Sequence, residues 1–94
     1  MAYMTVRHKV ADFDTWKKVF DEHAATRKPG GSRGGWLFRN AANPNECFIL
    51  WSWESLEKAQ AFASSPDLRE VMERAGVIEM PTITYFEDVE FVPV

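Results

Sequence analysis

The chain contains one cysteine, Cys47, so no disulfide can close within it, and at the head of an apolar run a buried, unreactive thiol is the expectation. It lacks any apolar stretch approaching the ~18 residues of a membrane span. It also lacks a basic stripe: 11 Lys and Arg against 14 Asp and Glu, interspersed, leave a net charge of -3. Neither a bilayer nor a phosphate backbone is therefore an expected partner. Met1-Ala2-Tyr3-Met4 leads into an alternating segment without a basic n-region or an apolar signal core, so a cytoplasmic location is expected. Histidine is scarce, and two imidazoles fall short of the three or four ligands of a firm metal site, so a bound metal is not expected. No Ser-His-Asp order and no paired carboxylates appear, which gives hydrolysis little weight. Repeats, linkers and low-complexity tracts are missing as well.

Present instead is enough apolar material, 46% of 94 residues with 14% aromatic, for one modest core and hence one domain over 1–94. Met4, Val6, His8 and Val10 alternate with Tyr3, Thr5, Arg7 and Lys9, predicting a strand with one apolar face that carries His8. Asp12 or Asp14 can cap a helix in which Phe13, Trp16, Val19, Phe20, His23 and Ala24 share a stripe. That helix should end near Arg27-Lys28 and be stopped by Pro29-Gly30. The Gly30–Gly35 stretch opens a strand, not a helix, so it reads as a flexible connection or lid and not as a phosphate cradle. Trp36–Arg39 predicts a second strand, and Asn40–Asn45 the turn of a hairpin with Phe48–Trp53. Glu54 or Ser55 opens a second helix, which Ser64-Ser65-Pro66 interrupts, Asp67–Met72 resumes and Gly76 ends. A last strand is predicted over 82–91.

Strand, helix, strand, strand, helix, strand is the α+β order of a ferredoxin-like βαββαβ fold, a four-stranded antiparallel sheet with helices on one face. Thr5, Arg7, Phe48, Leu50 and part of the last strand then occupy the other face. Only a second subunit is left to cover them, so a homodimer joined sheet to sheet is expected.

His8 and His23 fall on the two surfaces that close on one another, and near neutral pH an imidazole can take or give a proton, which suits cyclisation, isomerisation or deprotonation of a phenol. Trp16, Phe20, Trp51, Trp53, Phe62 and Tyr85 would line a flat apolar cavity for a planar aromatic ligand, with Trp53 and Phe20 as its walls. Arg27, one turn beyond His23, could hold an anionic group at the mouth. The plainer alternative for the histidines and aromatics is a packed, hydrogen-bonded core, and for Arg27 a charge at a helix end.

Val6–Phe13 leading to Trp16 and Phe20–His23, Trp53-Glu54-Ser55 at a strand-to-helix junction, Ala59–Phe62 and Ser65–Arg69 together resemble the dimeric α+β barrel superfamily, within it the antibiotic biosynthesis monooxygenase-like proteins and small cyclase relatives. The resemblance spans nearly the whole chain. It implies a pocket between the sheet and its own helices, with a tryptophan at the end of strand three, here Trp53, helping to line it. It also implies an asparagine on strand one or three assisting cofactor-free oxidation, where this sequence has His8 and Ile49. Heme-degrading members carry a histidine ligand on the helix after Ser65-Pro66; the matching position here is Met72, so heme degradation is disfavoured, with His23 the one other source of a ligand. The expectation is a cofactor-independent enzyme acting on an aromatic or polyketide-like molecule, cyclase or isomerase chemistry ahead of oxygenation. The alternative is a non-catalytic dimeric module that binds a small hydrophobic ligand or serves as a stress-related accessory protein.

Overall fold

A computed structural model describes residues 2–94 as β1 (Ala2–Lys9), α1 (Phe13–Glu22), α2 (Ala24–Gly30), β2 (Ser32–Arg39), β3 (Glu46–Trp53), α3 (Leu56–Ala63), α4 (Pro66–Arg74) and β4 (Thr82–Glu87). The four strands form one antiparallel sheet in the order β2-β3-β1-β4, the expected α+β arrangement. In the register, Met4 faces Trp51, Val6 faces Ile49 and His8 faces Cys47, so alternation puts all six side chains on one face. Trp16 of α1 and Ala59 of α3 join them in the core, which places the helices on that face.

Local chemistry sets the element ends. Asp12 caps α1, its carboxylate accepting from the Thr15 N–H at 3.0 Å, while Asn45 of the β2–β3 turn reaches across to accept from the Phe13 N–H at 3.0 Å. Ser55 caps α3 by accepting from the Lys58 N–H. Pro66 occupies the first turn of α4, where its missing N–H leaves no vacancy in the helix, and Gly76 takes a φ of 82° just after the helix ends.

Three expectations need correction. The first helix is broken: the chain turns at His23, whose carbonyl accepts from both the N–H and the hydroxyl of Thr26, and α2 contains Pro29 and ends only at Gly31, with φ 111°. The glycine stretch is not a free connection or lid, because Ser32–Gly35 already belongs to β2. Ser32 pairs with Trp53 and Gly35 with Trp51, so three steps on β2 oppose two on β3, a bulge. Glycine is required there for space, since a Cβ on Gly35 would stand 1.9 Å from the Leu50 carbonyl oxygen. Finally, β4 stops at Glu87, which pairs with Ala2 of β1, and not at Phe91.

Candidate functional site

Between the sheet and the helices lies a cavity of about 70 Å³. Its floor is Met4, Val6 and His8 of β1 with Ile49 and Trp51 of β3. Trp16 and Phe20 come from α1, His23 from the helix break, Phe62 from α3, and Leu68, Val71 and Met72 from α4. Small-molecule sites ordinarily measure ~300 Å³ or more, so a ring system enters this one only if a wall moves. The wall best suited to move is α4, which contributes Leu68, Val71 and Met72 yet has no fully buried residue of its own.

His8 is 6% exposed, and neither of its ring nitrogens has a hydrogen-bond partner. Its ring packs against Trp16 with centroids 5.3 Å apart. Burial without a compensating charge pushes its pKa down to about 4, so it is a neutral imidazole at physiological pH. An unpartnered buried polar group costs ~1–3 kcal/mol, and a ligand hydroxyl in the cavity would recover that cost.

His23 lines the same cavity, so the two histidines share one site as the strand and helix patterns predict. Its Nε2 stands 3.3 Å from an Asp67 carboxylate oxygen, a contact between the helix break and the first turn of α4. This pair was not readable from the sequence, because 44 residues separate its members and only the packing of α4 brings them together. Asp67 is largely exposed while His23 is buried, so the pair runs from solvent to the cavity wall.

Aromatic rings stack in series along one side: Trp16 on Phe20 at 4.8 Å, and Phe20 on Trp51 at 5.8 Å. Arg27 completes the series at the mouth. Its guanidinium carbon is 4.1 Å from the Phe20 ring centre and 5.1 Å from that of Trp51, and its Nη1 donates to the Phe20 carbonyl at 2.8 Å.

Of the expected site residues, Trp16, Phe20, Trp51, Phe62, Met72, Arg27 and both histidines line the cavity, and two do not. Trp53 is fully buried beyond it, against Phe62 at 5.0 Å and beside Gly30, with its indole N–H unpaired. It shares a face with Trp51 but lies ~7 Å further along the strand, beneath the other end of the helical layer. Tyr85 borders a separate surface depression near Leu56 and Glu87. Among the described residues, no group of three or more His, Cys, Asp or Glu side chains is placed to hold a metal ion, and no helix is long and apolar enough to cross a membrane.

No protein-family model and no curated protein matches the chain. Solved structures do. A candidate antibiotic biosynthesis monooxygenase from Bordetella bronchiseptica superposes with a TM-score of 0.79 at 16% identity, covering 95% of this chain and 97% of its own. SnoaB from Streptomyces nogalater, a cofactor-independent oxygenase, gives 0.79 at 15% identity over 99% and 97%. A candidate antibiotic biosynthesis monooxygenase from Caulobacter crescentus gives 0.74 at 20% identity over 95% and 90%. The fold is thus that of the antibiotic biosynthesis monooxygenase-like structures, and at these identities the likeness speaks for the fold alone.

Proposed function

We propose that the protein is a small cofactor-independent enzyme that binds an aromatic or polyketide-like hydroxy compound between sheet and helices and moves a proton there, with His8 and His23 as the acid/base groups. The observation that carries this reading is His8: a buried, neutral imidazole with both nitrogens free, in an otherwise apolar cavity. In the empty cavity a positive charge on His8 is unfavourable. A substrate hydroxyl that hydrogen-bonds to it and gives up its proton creates an oxyanion alongside, and that opposite charge restores the affinity of His8 for the proton. His23, oriented by Asp67, is the second group, suited to return a proton at another carbon or oxygen. Together they serve cyclisation or isomerisation. A second reading, oxygenation of the same deprotonated substrate, is favoured by the likeness to SnoaB.

The working unit in this reading is a homodimer. Trp36 and Phe38 of β2, Phe48 of β3 and Phe86 of β4 lie on the sheet face away from the helices, and Trp36 is 65% exposed. A second copy of the chain would bury them.

The test is turnover of a naphthohydroquinone and of a linear polyketide mimic in an oxygen-electrode cell, with wild type and His8→Phe. Turnover that depends on His8 without oxygen uptake supports the isomerase or cyclase reading. His8-dependent uptake of oxygen supports the monooxygenase reading. Rates unchanged by the substitution overturn both.

A further inference from the structure

Arg27 and Trp51 have two sides. Inward they close the cavity; outward they border a surface cleft of about 440 Å³ with Lys28, Ser32 and Arg33. Three cations converge there on a chain whose net charge is -3. Arg33 lies 3.6 Å from Glu54, which is also bonded to Lys58, but no described carboxylate comes within 4.0 Å of Arg27 or Lys28.

We propose that the inner cavity and this outer cleft are two halves of one binding site, and that its ligand is a planar aromatic compound bearing an anionic group, most simply a carboxylate, held by Arg27 and Lys28. This rests on reading the inner cavity as a ligand site. Arg27 stands where such a ligand would cross from one half to the other: stacked on Phe20 and near Trp51, the guanidinium can keep a ring edge on its inner side and offer N–H groups to an oxyanion on its outer side. One of those groups is committed to the Phe20 carbonyl, which fixes the fork in place. Half burial lowers the affinity of Arg27 for its proton, with the charge of Asp21 opposing, so its charge is partly desolvated and an anion would compensate it. The two volumes agree with this division, a small apolar slot for a ring edge and a roomier surface cleft for the charge.

The experiment is calorimetric titration with 1-naphthoate and its neutral isostere 1-naphthamide at low and high salt, using wild type and the Arg27→Gln/Lys28→Gln double variant. Comparing the two probes within each protein cancels any effect of the substitutions on cavity opening. The expected result is naphthoate binding about tenfold more tightly than naphthamide to wild type, the preference shrinking with salt and falling below about threefold in the double variant. Equal affinities in wild type, or a preference that survives in the double variant, overturn the anion site while naphthamide binding leaves the cavity reading standing. Binding of neither probe to folded wild type overturns both. Should the double variant fail to fold, Lys28→Gln/Arg33→Gln takes its place, with loss of at least half the preference in logarithmic terms expected and an undiminished preference refuting the proposal.

Discussion

Replacing His8 with phenylalanine should stabilise the protein, and by an amount that grows as the pH falls. Two effects add. At neutral pH the substitution removes two buried nitrogens without partners and keeps a ring against Trp16, with the adjoining cavity to take the extra atoms. The gain should be about 1–3 kcal/mol, the cost of an unsatisfied buried polar group. The second effect is proton linkage. An unfolded histidine titrates near 6.5, whereas burial holds folded His8 at about 4. Between these values the unfolded chain binds a proton that the folded one refuses, so stability present above pH 6.5 is lost progressively as the pH falls towards 4. From pH 7 to pH 5 this removes roughly 2 kcal/mol from wild type and nothing from the variant. Urea unfolding at both pH values and one fixed protein concentration measures it, and the fixed concentration matters if the chain dimerises. The variant should lead by about 1–3 kcal/mol at pH 7 and by about 3–5 at pH 5. Parallel stabilities across that range would refute the buried neutral histidine, and a variant less stable than wild type at pH 7 would show that His8 has partners in solution.

Gly35→Ala should destabilise by more than about 2 kcal/mol in the same unfolding assay, because its Cβ would overlap the Leu50 carbonyl oxygen and the bulge has no slack to absorb it. Asp12→Ala should cost about 1 kcal/mol through loss of the α1 cap, again read from the urea midpoint. Trp36→Lys with Phe48→Glu should convert a light-scattering dimer into a monomer, since both positions lie on the exposed apolar sheet face. Asp67→Asn should change the nitrogen shifts of the His23 ring at pH 8 by altering which nitrogen carries the proton, and leave those of His8 unmoved.

What the sequence made legible were features with a local cause. The alternation from Met4 to Val10, the hairpin turn and the two caps, open between Asp12 and Asp14 and between Glu54 and Ser55 and found at Asp12 and Ser55, follow from neighbours a few residues away, as does the interruption at Ser64-Ser65-Pro66, although α4 resumes at Pro66 and not at Asp67. The misreadings have non-local causes. Periodicity runs unbroken through His23, so the helix break left no mark in the pattern; Thr26 bonding to the His23 carbonyl is a matter of three-dimensional geometry. Gly30–Gly35 looked like slack because glycine is permissive, whereas at Gly35 the reason is the approach of β3. Trp53 and Trp51 are equivalent by alternation and differ only in what the helical layer lays over them, which a period of two cannot encode.

The same contrast bears on how the site would work. Its floor is rigid, made from the paired strands β1 and β3, and that is where His8 sits. Its lid is made from the helices whose arrangement was least legible: α4, without a buried residue, and the break at His23, tied together by a single half-exposed His23–Asp67 contact. For a ring compound to enter a cavity of about 70 Å³ such a lid must yield, and one half-exposed His23–Asp67 contact contributes no more than ~1 kcal/mol against its doing so. Substrate entry through α4 would break the contact that orients His23 and re-form it on closure. The second acid/base group would then be in place only once the ligand is enclosed, while His8 waits on the sheet in either state.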